Sequence, residues 1–94
     1  MTKYDSFKFI GKPKSIRTEA ASGGVRFIFH CDRINFVMGN LTGIFEDCDI
    51  SHYTAKDVSI TKLKESEKIS LEGIISVKGQ SKDRELIALT LKEE

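Results

Sequence analysis

The run Val25-Arg26-Phe27-Ile28-Phe29-His30-Cys31 alternates with a period of two, and this constrains the chain more than any other feature. Successive side chains leave opposite faces of a strand, so Val25, Phe27, Phe29 and Cys31 share one face and Arg26 and His30 take the other. A helix would scatter the same four apolar residues around its circumference. Ile28 breaks the rule, because it is apolar on the polar face. It marks the strand as central in its sheet, or its outer face as one that meets a partner.

The rest of the chain follows the same grammar. Gly23-Gly24 marks a turn ahead of this strand, and Ile34-Asn35-Phe36-Val37-Met38 reads as a second strand joined to it by a tight hairpin at Asp32-Arg33. Gly39-Asn40 permits another reversal into Leu41-Thr42-Gly43-Ile44-Phe45-Glu46, where Gly43 suggests a bulge or bend. Val58 to Leu63 alternates, as does Ile69 to Val77 with Ile69, Leu71, Ile75 and Val77 on one side; the charged run Lys64-Glu65-Ser66-Glu67-Lys68 between them reads as a hairpin tip. Residues 85 to 91 are read as a strand, with a short helix capped by Asp83 as the alternative. Near the N-terminus Phe7 and Phe9 flank Lys8, and Pro13 restricts that stretch to an edge strand or to two short pieces. Residues 15 to 21 read as a strand or a single helical turn.

Eleven Ile and six Phe against four Ala favour strands over helices throughout the 94 residues. The expected fold is therefore all-β: one domain over residues 1–94, a small antiparallel barrel or sandwich of six to seven short strands with at most one short helix. Charge is nearly balanced, 15 Lys+Arg against 14 Asp+Glu, which sets the chain apart from disordered, highly charged tails. There is no leader-like apolar run and no span of membrane length, so a cytoplasmic protein without a membrane partner is expected. Two cysteines are too few for a disulfide scaffold and read as thiols.

Chemistry-bearing residues are sparse. His30, Cys31, Cys48 and His52 match a tetrahedral zinc count, but His30 and Cys31 project to opposite faces of one strand, so no metal is expected. Glu46, Asp47 and Asp49 read as a solvated acidic loop end; Glu46 and Asp49 with His52 are the only foothold for catalysis. No nucleophile constellation, phosphate loop or dinucleotide fingerprint occurs, so neither an enzyme nor a cofactor is expected.

Two stretches resemble known families. Met38 to Asp49, with Gly43 six residues ahead of Asp49, is similar to the first motif of Sm-like RNA-binding barrels, which implies a β barrel with RNA as partner; the second, Arg-Gly-containing motif is missing. Val58 to Val77 resembles the β-rich repeat of small sporulation proteins, which implies a hairpin there. A five-residue recurrence through Gly43, Cys48, Tyr53, Val58 and Leu63 is similar to pentapeptide-repeat coils over about four units, too few turns for a stable solenoid.

The leading expectation is a non-enzymatic module that binds another protein, or a second copy of itself, through a sheet edge or apolar face. Ile28, Val37 and Ile74 are its candidate interface residues, since each lies opposite the core face of its strand. The alternative is an OB-like or Sm-like single-stranded nucleic-acid binder. Residues 1 to 17 hold Lys3, Lys8, Lys12, Lys14 and Arg17 against Asp5 alone; Lys8, Lys12, Lys14, Arg17 and Arg26 would meet phosphates while Phe7 and Phe9 stack on bases.

Overall fold

A computed structural model describes residues 5–55, 60–65, 67–77 and 84–93. Strands β1 (Ser6–Gly11), β2 (Ser15–Ala21), β3 (Gly24–Met38) and β4 (Leu41–Thr54) are followed by helix α1 (Ile60–Glu65), then β5 (Ile69–Val77) and β6 (Arg84–Glu93). The sheet runs β1-β5-β6-β4-β3-β2, and β1 also pairs with β3, so β1, β5, β6, β4 and β3 close a five-stranded barrel. The fold is a small all-β barrel with one extra strand and one short helix. All described ladders are antiparallel except β4 with β6, which run parallel where Ile50 and Ser51 meet Leu86 and Ile87.

Strand β3 makes closure possible because it is 15 residues long and serves two neighbours. Its first half pairs with β2, from Ala21↔Gly24 to Ser15↔His30; its second half pairs with β1 at Ser6↔Val37, Phe7↔Phe36 and Lys8↔Asn35. Pro13 sits between β1 and β2, where the missing amide and fixed φ end the first ladder, and Lys14 N–H then donates to the His30 carbonyl 2.7 Å away to start the second. Pro13 thus divides the N-terminal segment into two pieces. The β3–β4 reversal is the two-residue turn Gly39-Asn40, with Gly39 at φ 64°, the sign that a primed hairpin turn needs at its first central position.

The barrel interior holds the residues that alternation selects: Phe7 and Phe9 from β1, Phe27, Phe29 and Cys31 from β3, Ile69 and Leu71 from β5. Each such Phe or Ile contributes roughly 1.5–3 kcal/mol by leaving water.

Three expectations are corrected. First, Asp32-Arg33 is not a hairpin turn, because β3 continues across it. Cys31 and Ile34 are both fully buried although three residues apart, so the inward face switches between them. Asp47 opposite adopts φ 51°, a left-handed conformation that Asp tolerates, and the register is the same on either side, Cys31↔Cys48 and Arg33↔Glu46. Both strands therefore switch face together. Second, Glu46, Asp47 and Asp49 belong to strand β4 rather than to a loop end.

Third, residues 60 to 65 form helix α1, not the first strand of a hairpin, which also removes the hairpin implied by the sporulation-protein resemblance; residues 56–59, including the Val58 end of that reading, lie outside the described residues. Leu63 of the helix is buried among the barrel residues. Burying that leucine against the core outweighs the weak alternation of a six-residue segment, which by itself selects neither state. Residues 84 to 93 form the strand of the two readings offered.

Candidate protein-interaction surface

Neighbours across a ladder face the same way, so register alone maps a continuous belt around the outside of the barrel. Thr42 pairs with Val37, Val37 with Ser6, Ser6 with Ile74, Ile74 with Ile87, Ile87 with Ser51, Ser51 with Ile28 and Ile28 with Arg17. All three candidate interface residues lie on this belt. Their exposures differ, however. Val37 is 45% exposed and Ile74 half-buried, flanking the small Ser6 on either side. Ile28 is only 1% exposed and offers no contact surface, which corrects its assignment.

Around Ser6 the belt opens into a groove of about 450 Å³. It is lined by Val37 and Leu89 together with Ser6, Phe7, Gly73, Asn35 and Thr90. Leu89, next to the inward Ala88, is 63% exposed and stands at a bulge: the β5–β6 register passes from Glu72↔Thr90 to Gly73↔Ala88, which leaves Leu89 unpaired. Lys8 and Glu72 close one side as an exposed ion pair at 3.0 Å. Ile44, across the ladder from Asn35, adds a further exposed apolar side chain beside the groove. Leu89 was missed by sequence reasoning, since alternation through 86–91 does not say which of its two apolar sets faces inward, and the bulge splits one of them, leaving Leu89 outside and Leu91 against the core.

Where β2 lies beside the first half of β3 and the second half of β4, the outer face is polar around the buried Ile28 and internally matched. Arg26 is central to it: its Nε and Nη2 donate to Ser51 Oγ at 3.0 and 2.8 Å, its Nη1 meets Glu19 at 3.0 Å, and Glu85 lies 3.6 Å away. Its guanidinium also stands 5.8 Å from the Tyr53 ring centroid, and Tyr53 O–H donates to Glu85 at 2.8 Å. Arg17 pairs with Asp49 at 3.3 Å, and His30 Nδ1 lies 2.7 Å from the same carboxylate. Lys14 bridges Asp32 at 2.6 Å and Asp47 at 2.9 Å, two carboxylates that face each other at the β3–β4 switch.

These positions revise the nucleic-acid residue set. Phe7 and Phe9 are 3% and 5% exposed inside the barrel, so neither ring offers a stacking face. Lys8, Lys14, Arg17 and Arg26 are each matched by a carboxylate that a phosphate would have to displace; Lys12 is exposed and carries no ion pair among the described residues. The acidic foothold also separates. Asp49 faces outward opposite His30, while His52 lies opposite Phe27 on the inner side and donates Nδ1–H to the Ala88 carbonyl at 3.0 Å. Among the described residues no three His, Cys, Asp or Glu side chains converge as a metal site.

Two chemical consequences are measurable. Hydrogen bonds to Asp32 and then Asp47 raise the Lys14 ammonium above its ordinary range, and the same Lys14 contact holds Asp47 below the usual carboxylate range. A depressed carboxylate stabilises the fold above its unfolded pKa and loses that contribution as pH falls; a raised ammonium does so below its unfolded pKa and loses it as pH rises. The linkage is complete between about pH 5 and pH 10 and fails on both sides, with a small amplitude because the groups are solvated. Urea midpoints for Asp47→Asn are expected to show a shallower acid limb than those for the parent chain.

The cysteines face each other across β3 and β4 as free thiols. Burial pushes Cys31 up to about 12, and burial followed by the charges of Asp49 and Asp47 raises Cys48. An aromatic disulfide reagent at pH 8 is expected to label Cys48, which is partly exposed, well before Cys31. Equal rates would mean that the barrel opens as fast as Cys48 reacts.

Among the described residues no helix is long and apolar enough to cross a membrane. No protein-family model, curated protein or solved structure matches the chain.

Proposed function

We propose that this protein is a non-enzymatic interaction module whose groove between Val37 and Leu89 receives an apolar side chain from an extended segment of another protein. The observation that carries the reading is the groove itself: two exposed aliphatic side chains lining it together with the small Ser6 and Gly73 and the Lys8–Glu72 ion pair. Exposed apolar surface held by a rigid closed barrel costs stability in water and is recovered when a partner covers it. About 450 Å³ accommodates one large aliphatic or aromatic side chain with its neighbours.

The test is retention of partners from host lysate on immobilised protein, with nuclease present. Val37→Glu and Leu89→Glu alter exposed positions and are expected to leave the melting temperature within a few degrees of the parent while removing a stoichiometric, nuclease-resistant protein. Unchanged retention by both variants refutes the groove.

One observation favours the nucleic-acid alternative. A barrel closed by five strands, with one parallel pair, β4 with β6, among the described residues, agrees in strand number with the OB-like alternative, a scaffold used for single strands. On this reading Lys8→Glu with Lys14→Glu abolishes binding of a labelled single-stranded oligonucleotide, and the parent's affinity falls steeply with salt. Salt-independent binding, or none, removes it.

A further inference from the structure

We propose that the protein forms a symmetric homodimer by antiparallel pairing of β2 with β2 of a second copy, centred on Thr18. The proposal is independent of the groove and stands on the barrel's unclosed element. Strand β2 is last in the sheet, and among the described residues it pairs with β3 alone. Its burial is also unusual for a strand laid on a barrel: only Ile16 is buried, and Arg17, Thr18, Glu19 and Ala20 are exposed on both faces. The inward-facing positions beyond Ile16 are Thr18 and Ala20, neither of them a charged gatekeeper of the kind that blunts such edges.

Charge selects both the partner and the register. In an isologous pairing about a two-fold axis normal to the sheet, residues of equal parity oppose one another, so the axis falls on a residue. Centring on Arg17 sets guanidinium against guanidinium, and centring on Glu19 sets carboxylate against carboxylate. Centring on Thr18 sets Arg17 of each copy opposite Glu19 of the other, twice by symmetry, with Thr18 against Thr18 on the axis. Ile16 then opposes Ala20 and Ser15 opposes Ala21, so the seven residues of β2 pair without a like-charge contact. The intramolecular ion pairs extend the pattern. Arg17 already meets Asp49, and Glu19 already meets Arg26, so across the axis the signs alternate along Asp49, Arg17, Glu19 and Arg26. Main-chain hydrogen bonds supply the affinity of such a junction, and the charges fix its register.

Sedimentation equilibrium of the full chain tests this. The parent protein is expected at twice its 10.6 kDa chain mass. Arg17→Glu and Glu19→Arg, each alone, oppose like charges at both symmetric positions and should weaken association by about tenfold or more. Mixed one to one, the two variants should associate again, since in the mixed dimer every carboxylate faces a guanidinium. Thr18→Lys changes an exposed residue, puts two ammonium groups face to face on the axis and is expected to give monomer with the fold retained. A monomeric parent overturns the proposal; so does a dimer indifferent to all three substitutions, or a mixture no tighter than its components when both melt like the parent.

Discussion

Gly73→Ala is expected to lower the thermal midpoint by about 15 °C, a loss of about 3 kcal/mol. A Cβ at this position would lie 1.8 Å from the Ile87 carbonyl oxygen and 2.7 Å from the Ala88 Cα. Both are backbone atoms of the paired strand, so no side-chain rotation relieves the overlap. Separation of β5 from β6, which here close the barrel next to the bulge, is the remaining relief. Because Gly73 also lines the groove, the substitution should remove partner binding together with stability, whereas Leu89→Glu should remove binding alone. Calorimetry of the two variants beside Glu72→Ala, an exposed neighbour, separates these effects. A Gly73→Ala chain melting within a few degrees of the parent would show that β6 yields and that the bulge is not fixed by close backbone approach.

Phe29→Ala should cost about 3–5 kcal/mol, a large share of the roughly 5–15 kcal/mol that holds a domain together. Phe29 is fully buried and pairs in the ladder with Ile16 of β2 and Ile50 of β4, both also buried; its ring stacks 6.4 Å from that of Phe27. Truncation empties the space where the closed barrel and the extra strand share one core. Phe29→Leu keeps much of the volume and is expected to cost about 1.5 kcal/mol. Urea titration with a single m-value across the series checks both figures. A loss below about 1 kcal/mol for Phe29→Ala would mean that neighbouring side chains collapse into the space, which dense interiors resist.

Strand identity and much of the core were legible because they rest on local facts. Phe7 and Phe9, Phe27 and Phe29, and Ile69 and Leu71 alternate with polar or outward residues, and burial of one face follows from pleat geometry whatever the topology. The reversal at Gly39-Asn40 was legible for the same reason, as a conformational requirement of two residues. Helix α1 was not: six residues carry less than two turns of pattern, and burial of Leu63 among side chains distant in sequence decides its state.

The candidate site was half legible. Val37 and Ile74 were placed on outer faces by parity, but their meeting on either side of Ser6 depends on β1 pairing with both β3 and β5, a relation between segments some 30 to 70 residues apart along the chain. Ile28 carries the same outward parity and is nonetheless buried, beside the Arg17–Asp49 and Arg26–Ser51 contacts of the polar face. The cationic N-terminal segment was equally visible, whereas the carboxylates that match Lys14 and Arg17 come from β3 and β4, more than fifteen residues away in sequence.

The sequence by itself determined that this chain is built from strands and which side chains those strands turn inward, since a two-residue period is a property of the backbone. Only the tertiary structure decided where that period breaks. The face switch at Asp32 and Asp47 and the bulge at Leu89 each invert the parity of the residues beyond them, and both accompany the bending by which the strands of a closed barrel bring the first against the third. Closure is a global condition that no single segment encodes, and the groove and the edge of β2 that is unpaired among the described residues are what closure leaves on the surface.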